Sequence, residues 1–181
     1  MADHTRPLDP STPDPAAPSD GSTITVREAV PSDSEALLRL LEEIMVHHGV
    51  TTPPRDRLER TLAAVFGSDS HLFLVAEEGG SILGMCALLM SISTWSADRV
   101  CEVQDVVVTT GRRGAGVGRL LLDAAANVAR ERGCVRLFLS AETPNLGAHA
   151  FYRSLGLQEK AVLHFERALT DAGAGGGDSS T

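Results

Sequence analysis

Apolar positions along this chain recur with two alternating periods, and the switches between them mark out its elements. ITVREAV, residues 24–30, alternates apolar and polar positions and predicts a first strand. In the next segment, PSDSEALLRLLEEIMVHHG, Leu37, Leu41, Ile44 and Met45 share one side at helical spacing. Ser32 and Glu35 have the spacing of a capping box at its start, and Gly49 closes it. Pro53 and Pro54 open a second helix through Leu58, Leu62 and Phe66, ending at Gly67. HLFLVAEEGGSILGMCALLM then predicts two strands joined by a hairpin at Glu78-Gly79-Gly80. Arg99 to Thr109 forms a further strand, followed by a glycine loop and a helix to Arg132. Gly133 sits at the C′ position of that helix, and Arg130 and Arg132 complement its dipole. CVRLFLSAE reads as a strand, NLGAHAFYRSLG as a short helix, and LQEKAVLHFERAL as a closing pair of strands. The resulting order, β-α-α-β-β-β-α-β-α-β(β), predicts an α/β (α+β) chain with one mixed sheet and helices on its faces.

The two ends have a different character. Residues 1–22 carry five of the nine prolines among Asp, Ser and Thr, and residues 171–181 are rich in glycine and serine. Such segments bury too little to offset their ordering entropy, so both predict disordered tails around a domain at 23–170. The chain is 43% hydrophobic, enough for a core, and its net charge of −8 argues against nucleic acid as a partner. The three cysteines, Cys86, Cys101 and Cys134, lack CxxC spacing and lie in apolar runs. They read as small buried hydrophobes, with no disulfide framework and no metal site. The longest apolar run, Ile82 to Met90, is too short to span a bilayer. The N-terminus has no apolar signal core. A reducing, cytoplasmic setting with no membrane partner is the expectation.

The glycine loop is where chemistry enters. RRGAGVG, Arg112 to Gly118, places Gly114, Gly116 and Gly118 at alternate positions, between a β-branched strand and an alanine-rich helix. A dinucleotide fold requires G-x-G-x-x-G, which this spacing does not complete. A phosphate loop of the ATPase kind requires G-x-x-x-x-G-K-[ST]. Gly111 and Gly116 have that separation, but Val117-Gly118 stands where the lysine and hydroxyl belong. A plain tight turn would need one glycine. Three of them, with Arg112, Arg113 and Arg119 alongside, suit a backbone cradle for a pyrophosphate at a helix start.

Arg113-Gly114-Ala115-Gly116-Val117-Gly118 resembles the [QR]-x-x-G-x-[GA] acyl-CoA loop of the GNAT N-acetyltransferases. In that family the loop follows a strand carrying small β-branched residues, as Val106, Val107 and Val108 are here. Downstream, Asn145, Ala150, Phe151-Tyr152 and Leu155-Gly156-Leu157 resemble the family's N…A..FY..LGF element, with Leu157 in place of the usual phenylalanine. The likeness is tight from about Cys101 to Leu157 and follows element order alone from Ile24 to Leu169. It implies a mostly antiparallel sheet splayed at its central strands and acetyl-CoA as co-substrate; a homodimer is a separate expectation for the assembly. The likeness also implies that the backbone of Val106 to Val108 pairs with the pantetheine arm and that Arg113 to Gly118 hold the pyrophosphate. Asn145 would hydrogen-bond the cofactor, although a plain N-cap is an equal alternative.

The implied reaction is attack of an amine on a thioester, which profits from a base because the free amine is scarce at neutral pH. Strict strand alternation puts Glu102, Gln104 and Val106 on one face of their strand and Val103, Asp105 and Val107 on the other. Glu102 stands where several GNAT members place a catalytic glutamate; its ordinary alternative is a solvated carboxylate, and Asp105 is the reserve. Tyr152, the only tyrosine, falls on the family's phenol position, as acid to the leaving thiolate; the alternative is a core tyrosine. The acceptor expected is a small-molecule primary amine. The rivals are a protein N-terminus or lysine, and a non-catalytic acyl-CoA-binding module.

Overall fold

The computed structural model describes residues 23–167; residues 1–22 and 171–181, read above as tails, lie outside the described residues. The chain forms two compact units, one up to Ser140 and one from Ala141 onward. In the first, five strands lie in chain order: β1 (Thr25–Glu28), β2 (His71–Glu78), β3 (Ser81–Ser93), β4 (Asp98–Val108) and β5 (Arg136–Leu139). The first three junctions are antiparallel, because short turns connect those strands or a pair of helices returns the chain. The β4–β5 junction is parallel, because the crossover helix α3 (Val117–Glu131) lies between them. This is the mixed, mostly antiparallel α+β sheet expected. The helices α1 (Ser34–His47) and α2 (Arg55–Phe66) precede β2, and α4 (Leu146–Ser154) belongs to the second unit.

The start of α1 departs from the expected capping box. Asp33 accepts the Val30 N–H at 2.8 Å and pairs with Arg27 at 2.7 Å, while Glu35 pairs instead with Arg55. A cation supplied from β1 draws the Asp33 carboxylate back toward Val30 and away from α1, which local spacing cannot register. On one face of the sheet, Leu37 and Leu38 of α1 and Leu58 and Leu62 of α2 close over Phe73, Met85, Ala87 and Val107. On the other lies α3, with Leu121 and Ala125 fully buried. Gly84 permits this close packing: a Cβ there would stand 2.6 Å from the Val107 carbonyl oxygen and 3.4 Å from Leu121 Cδ1. Cys86 and Cys101 are buried and free, and burial pushes their thiols up to about 12 and about 11.

A β-bulge in β4 decides where its side chains go. Cys86 faces Val106 and Leu88 faces Val103, so Gln104 and Asp105 together oppose the single residue Ala87. The extra residue reverses the parity of the strand. Glu102 and Val107, paired with Leu89 and Met85, therefore share the α1/α2 face, while Val103 and Val106, paired with Leu88 and Cys86, face α3. The alternation expected from sequence, with Glu102 and Val106 on one face, is corrected by this slip. The bulge also marks the end of the β4–β5 ladder, which runs only from Val100↔Arg136 to Val103↔Leu139. Among the described residues, Gln104 to Val108 have no strand neighbour on that side, so the sheet is splayed there.

The closing strands do not form among the described residues. Residues 158–167 carry no strand, and Leu163 and Phe165 are exposed. Their apolar alternation is a local property, whereas a strand exists only through a pairing partner.

Candidate functional site

The glycine loop runs from the end of β4 into α3 through one 3-10 turn, Thr110–Arg112. Gly114 and Gly116 have φ of +80° and +83°, a left-handed conformation that L side chains adopt at a cost, and an added Cβ at either would meet nothing within 4 Å. Gly116 is the N-cap of α3 and brings no side-chain cap. The N–H groups of Gly116, Val117 and Gly118 therefore begin the helix where helical geometry supplies no acceptor. Bare backbone donors, the positive end of a 15-residue helix and an open approach fit a pyrophosphate.

Two of the arginines beside the loop, Arg112 and Arg113, make contacts within the protein. Arg112 pairs with Glu78 at 2.7 Å, with its Nε buried and lacking an acceptor, and so pins the loop to the end of β2. Arg113 donates through Nε to the Val108 carbonyl at 3.1 Å and lies 3.7 Å from Glu43. Glu43, from α1, also accepts from Thr110 Oγ1 at 2.6 Å, Thr110 N at 2.9 Å and Thr109 Oγ1 at 3.3 Å. The Thr110 hydroxyl above all, with the other donors and Arg113, holds the Glu43 carboxyl below the usual carboxylate range. Sequence reading missed Glu43, and no local signal marks it: its partners lie more than sixty residues away. The loop is thus clamped by side chains, while Gly114 and Gly116 keep an open approach.

Two carboxylates on the α1/α2 face of β4 flank the start of the splay. Glu102 is half-buried opposite Leu89, on the part of β4 still paired to both neighbours. Asp105 lies in the bulge and lines a groove of about 430 Å³ with Leu41, Met45, Leu58, Leu72 and Phe73. Burial alone pushes its carboxyl above the usual range, and among the described residues no cation pairs with it. Trp95 is 94% exposed in the β3–β4 turn and does not line this groove.

The raised Asp105 pKa carries a stability consequence. The folded state holds that proton more tightly than the unfolded chain, so stability falls as pH rises from the ordinary carboxylate range through the raised value. Above that value the penalty is complete. Asp105→Asn is therefore expected to raise the melting temperature at neutral pH, with the gain vanishing in acid; about 1 kcal/mol would appear as ~2–4 °C. Melting curves of both proteins across pH check this, and a gain independent of pH would mean that burial of the charge is not its source.

In the second unit, Asn145 is the N-cap of α4 and accepts from the Ala148 N–H at 3.1 Å. The capping alternative is thus realised, and its amide N–H₂ is not used by that bond. Tyr152 lies in the last turn of α4, its ring 5.3 Å from that of Phe151. The helix closes at Gly156, whose φ is +82°, with the Leu157 N–H returning to the Tyr152 carbonyl at 3.2 Å. His149 Nε2 lies 2.9 Å from the Glu142 carbonyl oxygen. Among the described residues no cluster of three His, Cys, Asp or Glu side chains could hold a metal, and no helix is long and apolar enough to cross a membrane.

Comparison with known proteins places this arrangement. The Aminoglycoside N-acetyltransferase AAC(6')-Iy, solved in complex with CoA, superposes with a TM-score of 0.74 over 85% of this chain and all of that one, at 17% identity, a likeness of fold. Streptothricin acetyltransferase of Streptomyces lavendulae is 36% identical over 89 residues, 49% of this chain and 45% of that protein. This match therefore spans less than half of that relative. Glucosamine 6-phosphate N-acetyltransferase 1 of Oryza sativa subsp. japonica is 34% identical over 81% of this chain and 88% of its own length. The family model "Acetyltransferase (GNAT) family" matches residues 35–157. With more than half of the chain inside that match, from α1 through the bulged strand and the glycine loop to α4, the protein belongs to the acetyltransferase (GNAT) family.

Proposed function

We propose that the protein is an acetyl-CoA-dependent N-acetyltransferase that moves an acetyl group to a primary amine of a small molecule by direct attack. The observation that carries this reading is the geometry of β4. Its open edge from Gln104 to Val108 leads straight into a bare glycine loop, and carboxylates flank the start of that edge. The edge of Val106 to Val108 would bind the pantetheine arm as an added strand, and Arg113, Gly114, Ala115, Gly116, Val117 and Gly118 would hold the pyrophosphate. Asn145 would add a hydrogen bond through its amide. Relatives named for aminoglycoside and glucosamine 6-phosphate acetylation support a small amine as acceptor.

When bound, acetyl-CoA supplies an acyl group activated as a thioester. Glu102 takes the proton of the attacking amine, directly or through water, as the C–N bond forms. A backbone N–H of the bulged strand near Val106 or Val107 meets the negative charge that develops on the carbonyl oxygen. The C–S bond then breaks, and Tyr152 protonates the departing thiolate. A second reading gives the base to Asp105, favoured by its desolvation and lack of a cation partner. The assembly that accompanies the proposal is a homodimer in the cytoplasm, which sedimentation of the purified chain and fractionation of cells would test.

Thermal shifts with acetyl-CoA and free CoA, beside a thiol-release assay over an amine library, test the reading. Binding without release would support an acyl-CoA-binding module, and release with peptides alone would support a protein acceptor. Tyr152→Phe keeps the ring and removes the hydroxyl. Because a thiolate is already an acceptable leaving group, turnover should fall by about tenfold to a hundredfold with CoA affinity nearly unchanged. Normal turnover across pH would return Tyr152 to a packing role.

A further inference from the structure

We propose that the acceptor is an amphipathic monoamine, a single primary ammonium on an apolar body, whose body fills the groove beneath α1 and α2 and whose charge meets Asp105. The inference rests on the transferase reading above and names its substrate class. The groove walls are aliphatic and aromatic, from Leu41 and Met45 of α1, Leu58 of α2, and Leu72 and Phe73 of β2. Its volume of about 430 Å³ suits a small ligand. One carboxylate, Asp105, faces this space, and among the described residues nothing neutralises it.

Charge complementarity narrows the occupant. A half-buried carboxylate without a partner is costly, and a cation entering the groove relieves that cost. A second ammonium on the ligand would have to be desolvated against leucine and phenylalanine with no anion to meet it. A phosphate on the ligand would meet no lysine or arginine, because the lining contains neither; His71 is its one basic side chain. Polyhydroxylated bodies fare poorly too, since besides His71 only Thr61, Ser68 and Gln104 offer side-chain polar groups to satisfy them. Aminoglycosides and aminosugar phosphates, the acceptors named for the relatives, therefore do not match this lining.

The test compares amines in the thiol-release assay and in calorimetry with CoA present. 2-Phenylethylamine and hexylamine stand for the proposed class; ethanolamine, putrescine, glucosamine 6-phosphate and neamine stand against it. kcat/KM for the apolar monoamines should exceed that for each of the others by at least about tenfold. In calorimetry 2-phenylethylamine should bind wild type and lose about tenfold or more in affinity in Asp105→Asn. Thr61→Asp places a second carboxylate on an exposed part of the lining and should move the preference toward putrescine by several-fold. Equal or better use of the phosphosugar or neamine, or 2-phenylethylamine binding unchanged by Asp105→Asn, would overturn the inference while the transferase reading stands. Absence of thiol release with every amine, with acetyl-CoA bound, would overturn the transferase reading. The calorimetric arm still decides what the groove accepts.

Discussion

Glu102→Gln is expected to lower turnover by about 10²–10⁴ at neutral pH, the range for loss of a positioned base. An alkylamine with a pKa of about 10.4 is neutral in only roughly one molecule in a few thousand at pH 7. The enzyme must therefore take a proton from the bound ammonium or wait for the rare free base. Glutamine keeps the shape and polarity of Glu102 on its half-buried face but cannot accept that proton. As pH rises, solvent supplies the neutral amine, so the deficit should narrow toward alkaline pH. Binding of the ammonium by Glu102 would behave differently: KM would rise while kcat held. Profiles of kcat against pH with one good amine distinguish the cases. A deficit constant at every pH would remove Glu102 from the role and hand the test to Asp105. Asp105 should then lose activity on the acid side at higher pH than an ordinary carboxylate, because burial raises its pKa.

Gly116→Asp should weaken CoA binding by about 10²–10³, because it sets a carboxylate where the pyrophosphate charge is expected. The position is open, with no atom within 4 Å of an added Cβ, so steric collapse of the protein itself is not the cause. The backbone φ of +83° strains most L residues, but Asp and Asn tolerate it best. Gly116→Asn is therefore the matched control, with similar shape and backbone cost but no charge. Calorimetry should show the aspartate variant losing much more affinity than the asparagine variant, and the gap should shrink with added salt. Unchanged affinity in a folded Gly116→Asp protein would place the anion elsewhere.

Much of this molecule is legible in local pattern. The hairpin at Glu78-Gly79-Gly80, the helices over Leu37 and Leu58, and the stop at Gly133 each follow from neighbours a few residues apart. The glycine loop is legible for the same reason, because left-handed backbone and a bare helix start are written in the residues that adopt them. The short helix read in NLGAHAFYRSLG forms as well, with Asn145 as its N-cap.

The face of each β4 side chain was not legible. Alternation is a reliable guide only while register is unbroken, and the bulge at Gln104–Asp105 arises from pairing with Ala87 of β3, far beyond the reach of local pattern. One extra residue moved Val106 to the α3 face, and β4 sets Asp105 in the same groove wall as Gln104. The clamp of Glu43 on Thr110 and Arg113, the engagement of Arg112 with Glu78, and the pairing of Asp33 with Arg27 share that origin. Charged side chains choose among partners that only folding brings near, and the choice turns on burial and geometry more than on spacing. The closing strands failed for the complementary reason, since residues 158–167 alternate without a ladder to join among the described residues. By itself, then, the sequence determined elements, the glycine loop and the chemistry available to it. Tertiary structure decided register, which carboxylate is desolvated and which arginines are already bound, because those depend on contacts between segments far apart in the chain.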